Sequence, residues 1–167
     1  DDVFIGLGQD SYYEKIETNS SASTRQKSQA GNYWDTFLNL NLDYDKRDQK
    51  FRPTDGFKSF YSVNLPIISE NNSLMNSYIF TTYNELYEDN VTKFSFFAKA
   101  ANSLTNDNIK LSERIYLPGS RLRGFVTGGV GPKDGNDFIG GNYATSVNIQ
   151  TSIPQFLPNL QNLDVSM

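Results

Sequence analysis

At 167 residues, with 37% apolar, 14% aromatic and 20% charged side chains, the chain has material for one packed domain, and no run approaches the roughly 18 apolar residues of a membrane-spanning helix. It contains no cysteine and no histidine, which removes disulfides, thiolate nucleophiles, Cys/His zinc sites and histidine-based catalytic pairs from this segment. The formal charge of −4 excludes the clustered Lys/Arg excess of a nucleic-acid surface.

Period-two alternation dominates from the start of the chain. A weak version covers residues 3–16. The clearest spans 34–45, where Trp34, Leu38, Leu40, Leu42 and Tyr44 oppose Asp35, Asn39, Asn41, Asp43 and Asp45. Residues 57–65 repeat it, with Phe57, Tyr61, Val63 and Leu65 against Lys58, Ser62 and Asn64. Weaker alternation runs through 74–87 and 94–101. It strengthens over 143–153, where Tyr143, Val147, Ile149 and Ile153 oppose Ala144, Ser146, Asn148, Gln150 and Ser152, and a last strand begins at Leu163, Val165 and Met167. The pattern predicts about seven long antiparallel strands and no helix. The chain opens at Asp1 with no initiator Met or leader and stops inside an alternating pattern, so an excised segment of a longer protein is expected.

Two architectures suit such strands: a soluble sandwich with the apolar face on a second sheet, or a membrane barrel with that face on lipid. Strands of ten or so residues are long for a sandwich and right for a tilted membrane crossing. The polar faces hold Asn, Ser, Gln and Asp more than Lys and Glu, which suits a wet lumen. Connection lengths alternate as well. The links over 17–32 and 104–142 are long and share one end with 67–73, while 47–56, 88–92 and 154–161 share the other, as long extracellular loops and short periplasmic turns do. Tyr12, Tyr13, Tyr33, Trp34, Tyr44, Phe57, Tyr83, Tyr87 and Tyr143 lie near predicted strand ends, where interfacial aromatic girdles are expected.

The link over 104–142 is too long for a passive hairpin connection. It carries Ile115-Tyr116-Leu117-Pro118-Gly119, then Arg121-Leu122-Arg123-Gly124-Phe125, then Gly128-Gly129-Val130-Gly131-Pro132, and closes on Ile139-Gly140-Gly141-Asn142. Apolar and aromatic residues among glycines predict a loop folded onto a surface, and inside a barrel that surface is the lumen wall. An arginine held there needs carboxylate or carbonyl partners. Gly124 permits close approach or positive φ. Asp134-Gly135-Asn136-Asp137 lacks the spaced acids of a calcium loop and reads as a turn. Asp43, Asp45, Arg47 and Asp48, at a strand end, read as a salt-bridge cluster rather than an acid/base pair.

The Arg123-Gly124-Phe125 tripeptide after Pro118-Gly119-Ser120, with Leu122 before it and Gly131-Pro132 and Gly140-Gly141-Asn142 after it, closely resembles the long motif loop of BamA-type assembly barrels, the Omp85 superfamily. Asp45-Lys46-Arg47-Asp48 leading into Phe51-Arg52-Pro53-Thr54-Asp55-Gly56 resembles that family's periplasmic turn, with Asp45, Arg47, Asp48, Pro53, Thr54 and Gly56 at its motif positions. The resemblance covers essentially the whole chain. It implies an all-β fold, residues 1–167 being part of a sixteen-stranded outer-membrane barrel with a lumen-directed loop at about 104–142, without the periplasmic repeats and the first and last strands.

It also implies an integral outer-membrane protein that folds and inserts client barrels by non-covalent templating, or a polypeptide-secretion translocator of the same superfamily. No enzymatic activity, cofactor, metal or nucleic acid is implied. The implied partners are outer-membrane lipid and lipopolysaccharide, unfolded client barrels and accessory lipoproteins. In this likeness Arg123, shaped by Gly124 and Phe125, tethers the loop to the lumen wall, supported by Arg121, Gly131, Pro132, Gly140 and Gly141. The family's acidic partners of that arginine fall near Gln150, a neutral amide, and just beyond Met167, with Asp164 the nearest acid.

Overall fold

A computed structural model describes residues 2–70, 72–87, 90–105, 108–126 and 128–152, with backbone alone at 153 and 165–166. Six long strands follow the alternation: β1 (Val3–Ile16), β2 (Gly31–Asp45), β3 (Gly56–Ile68), β4 (Ser73–Tyr87), β5 (Asn90–Ser103) and, after the long loop, β8 (Tyr143–Ile153). Inside the loop, β6 (Lys133–Asp134) and β7 (Asp137–Phe138) pair as a small hairpin, whose turn has Gly135 at φ +62°. β9 (Val165–Ser166) pairs with the end of β8. The main sheet is an antiparallel meander in the order β1-β2-β3-β4-β5-β8-β9. The all-β meander expected from the alternation is therefore present; Leu163, Asp164 and Met167 lie outside the described residues.

Registers fix which side chains share a face. Leu7 is opposite Leu40, Leu40 opposite Val63, Phe80 opposite Phe96, and Phe96 opposite Val147, so these belong to one face. Gly6, Asn41 and Ser62, or Thr81, Ser95 and Asn148, belong to the other. Across the paired stretches of the six long strands, Lys15 at the end of β1 is the only charged residue on the apolar face. This face is bare: Val147 is 59% and Ile149 69% exposed. Its polar groups bond one another across strands, as Ser11 with Thr36 (2.9 Å), Tyr61 with Asn76 (3.0 Å), Thr92 with Thr151 (3.0 Å) and Tyr143 with Asn102 (2.6 Å). An unpaired hydroxyl or amide costs most where there is no water to replace the partner.

The polar face is the covered one. The buried apolar residues Ala101, Ile109 and Ile115, with Met75 and Ala144 packed on them, lie between the long loop and the wall of β4, β5 and β8. Phe37, on the polar face of β2, is also buried and stacks on Tyr12, ring centroids 6.1 Å apart.

Two expectations are corrected. The 17–32 link contains a short helix, α1 (Thr24–Ser28), held by a reciprocal capping box between Ser23 and Gln26. Among the strand-end aromatics, Tyr13, Trp34, Tyr44, Phe57 and Tyr143 lie on the bare face, but Tyr12, Tyr33 and Tyr83 lie on the covered face, because each falls on the polar parity of its strand.

Candidate functional site: the loop seated on the covered wall

The long loop leaves β5 at Ser103, crosses the wall and returns at Tyr143, and its two arms are joined near the base. Ile115 and Gly141 exchange backbone hydrogen bonds of 2.8 and 2.9 Å. Ile139 is buried and donates its N–H to the Pro132 carbonyl at 3.0 Å. Gly140 has φ +66°, and a Cβ there would stand 3.0 Å from the Tyr116 ring and 3.1 Å from the Arg114 Cβ, so this crossing takes only glycine. Hairpin β6–β7 is joined to α1, whose Arg25 N–H donates to Asp134 at 2.9 Å.

Farther along, the Pro118 carbonyl accepts from the Arg121 N–H at 2.9 Å, a turn that presents Arg121 to the wall. Its guanidinium lies over the Phe97 ring, 4.9 Å from the centroid, and donates to the Ser95 hydroxyl at 3.3 Å. Arg121 and Arg123 share a cavity of about 400 Å³ with Thr81, Lys93, Ser95, Asn148 and Gln150. Among the described residues three cations line it and no carboxylate does. The structure thus brings Arg123 and Gln150 to one cavity, yet among the described residues Arg123 is exposed and makes no hydrogen bond or ion pair. Gly124, at φ +85°, and Phe125 face a separate apolar hollow with Tyr116, Val126 and Phe138. Gly131, at φ +133°, and Pro132 lead into the hairpin. Asp164 lies outside the described residues.

At the opposite end of the sheet, the β2–β3 turn is closed by its own side chains. Arg47 donates to both oxygens of Asp45, at 2.8 and 2.6 Å. These hydrogen bonds to the Asp45 carboxylate hold the guanidinium pKa above its ordinary value, against the opposing effect of burial. Asp48 accepts from the Thr54 hydroxyl at 2.7 Å and from its N–H at 3.1 Å. Pro53 follows Arg52, which has φ +52°, and Gly56 has φ +92°. This arrangement has the geometry of a stapled turn, with the carboxylates committed to structural partners.

The strongest attachment of the loop was not visible in the sequence. Lys110 has no exposed surface, and its ammonium meets Asp35 of β2, Glu14 of β1 at 3.1 Å and Glu113 at 3.5 Å. The same ammonium lies 4.8 Å from the Tyr33 ring centroid and 5.8 Å from that of Tyr12. Burial works against the charge, but the hydrogen bonds to Asp35 and Glu14 outweigh it, and the Lys110 pKa lies above its ordinary value. Gln29, also buried, clips the backbone beside it: its amide donates to the Ile109 carbonyl at 3.2 Å and accepts from the Leu111 N–H at 2.7 Å. Ser112 donates to Glu14 at 2.9 Å. Elsewhere on the covered wall, the Asp43 carboxylate pairs with Lys58 at 2.8 Å.

The sequence model of the Omp85 superfamily domain matches residues 5–167. No curated protein matches the chain.

Proposed function

The chain belongs to the Omp85 superfamily, and on that premise we propose that it is part of an outer-membrane assembly factor that folds and inserts client β-barrels without covalent chemistry. Superfamily membership supports outer-membrane insertion or translocation in general. One observation carries the finer reading: a sheet with one bare, almost uncharged apolar face has its polar face occupied by a loop bearing Arg123-Gly124-Phe125. A lipid-facing wall with a loop-filled interior is a rigid frame, and a rigid frame lets a separate edge offer backbone partners to a client strand that water no longer satisfies.

In this proposal Arg123 is the tether of the loop tip, with Gly124 and Phe125 shaping its approach, and Arg121, Gly131, Pro132, Gly140 and Gly141 setting the loop's path. Gln150, which lines the same cavity as Arg123, is its partner on the wall in this reading, and Asp164 belongs to the strand that follows. Outer-membrane lipid and lipopolysaccharide surround the wall, clients and accessory lipoproteins act on the intact protein, and the Asp45–Gly56 turn staples its periplasmic end. The translocator is the competing reading within the same superfamily.

The test reconstitutes the full-length protein in liposomes and follows insertion of an unfolded barrel client. The wild type accelerates insertion, and Arg123→Ala lowers the rate severalfold while its own barrel stays folded. Transport of an unfolded polypeptide into the liposomes with no acceleration of barrel insertion contradicts the assembly reading and selects the translocator.

A further inference from the structure

Two features of the Lys110 cluster stand apart from the arginine motif. The first is its place. It fixes the first turn of the loop to β1 and β2, and Ser73 of β4 donates to the Glu113 carboxylate from the far side, whereas Arg121 and Arg123 meet β4, β5 and β8 nearer the other end of the strands. The second is its charge. Three carboxylates, Asp35, Glu14 and Glu113, surround one ammonium. Asp35 and Glu113 are, like Lys110, almost without exposed surface, at 0% and 4%.

The acids are not equivalent. Asp35 takes the ammonium on one oxygen and the Ser69 hydroxyl, at 2.7 Å, on the other. Glu14, at the open rim, takes the ammonium and Ser112. Glu113 has Ser73 on Oε2, while its buried Oε1 makes no hydrogen bond and has only the Lys110 ammonium, at 3.5 Å, which Asp35 and Glu14 already hold more closely. Three acids around one cation leave one carboxylate poorly compensated, and a proton on the most distant of them removes that cost.

We propose that Lys110 is a second positioning residue, holding the base of the loop independently of the Arg-Gly-Phe motif, and that Glu113 sits beside it as a neutral acid, so that seating the loop takes up a proton. Ser73, whose hydroxyl both donates and accepts, serves either form of Glu113. The groups facing Glu113 are Lys110 on the loop, Tyr12 on β1, Asp35 on β2 and Ser73 on β4, with Glu14 and Tyr33 on the other sides of the shared ammonium. Burial pushes the Glu113 carboxyl above its ordinary value of 4.5, against the Ser73 hydrogen bond and the Lys110 charge. A released loop returns Glu113 to water and to that ordinary value. The seat is therefore tightest below it and loosens as pH rises through the raised value of the seated state.

Spin labels in the full-length protein read both claims: one at Asn108→Cys, exposed beside the Lys110 cluster, the other at Ser120→Cys, beside the arginines. Lys110→Met leaves Asp35 buried without its cation and raises the ratio of mobile to immobile label at 108 by at least about tenfold, with a smaller change at 120. Arg121→Ala, which removes the contacts to Phe97 and Ser95, does the reverse. In the wild type the ratio at 108 rises from about pH 5 to about pH 8, by no more than about tenfold per pH unit for one proton. Glu113→Gln, which mimics the neutral acid, keeps the label immobile at both pH values. An unchanged label in Lys110→Met overturns the second tether. A flat wild-type profile, or a Glu113→Gln loop as mobile as Lys110→Met, overturns the neutral acid. These readouts do not depend on client assembly, so they stand or fall apart from the proposed function.

Discussion

Gly56 shows how a single residue sets the turn end of the sheet. Its φ is +92°, and a Cβ there would stand 2.1 Å from the Lys46 carbonyl oxygen and 2.9 Å from the Arg47 Cα. The contacts are backbone atoms, which have no flexible end to move aside. Gly56→Ala is therefore expected to destabilise the folded protein by about 2 kcal/mol or more, read as a lowered unfolding midpoint in urea; an unchanged midpoint contradicts the geometry. The glycine was legible as a turn signal after Pro53-Thr54-Asp55, because turn chemistry is local. Lys110 was not. It stands between Ile109 and Leu111 with no motif around it, and its partner Asp35 is 75 residues away in sequence, so only the folded wall brings the two together. Gln29 is hidden in the same way: both its loop partners come from the arm near 110.

Among elements, the strands were legible because each carries its two environments in alternate residues, and the registers place these on two consistent faces. Exceptions mark where another force acts. Phe37 falls on the polar parity yet is buried against Tyr12, beside the β2–β3 register shift at Thr36/Phe37. Tyr12 and Tyr33 look like strand-end aromatics, but their rings flank the Lys110 ammonium, and a cation over a ring face is attracted by its quadrupole. Helix α1 left one trace, Ser23 followed three residues later by Gln26, a capping box too short to register as apolar periodicity. The two faces of β2 make a direct comparison. Leu40→Arg, on the bare face, is expected to cost about 2–4 kcal/mol of folding stability in a bilayer, while Asn41→Arg, one residue on, costs well under 1 kcal/mol. Equal costs at the two positions, measured by denaturant titration in liposomes, contradict the assignment of faces.

For the whole molecule, the fold and the loop's place on it follow from one arrangement: among the described residues nothing packs on the apolar face, and the polar face holds the loop. A soluble sandwich reverses this, since its second sheet covers the apolar side. The loop's glycine-rich composition predicts close packing, and Gly140 lies against Tyr116 within the loop itself, but which wall residues receive the loop depends on strand order, which local sequence does not encode. The most direct test places single cysteines along β2 of the full-length protein, in a cysteine-free background, from position 38 to 43, with spin labels read in lipid and in water. Leu38, Leu40 and Leu42 are expected to report hydrocarbon, through contact with lipid-soluble oxygen, and Asn39, Asn41 and Asp43 to report a polar interior. Water contact at Leu38, Leu40 and Leu42, or no alternation along the strand, contradicts the account.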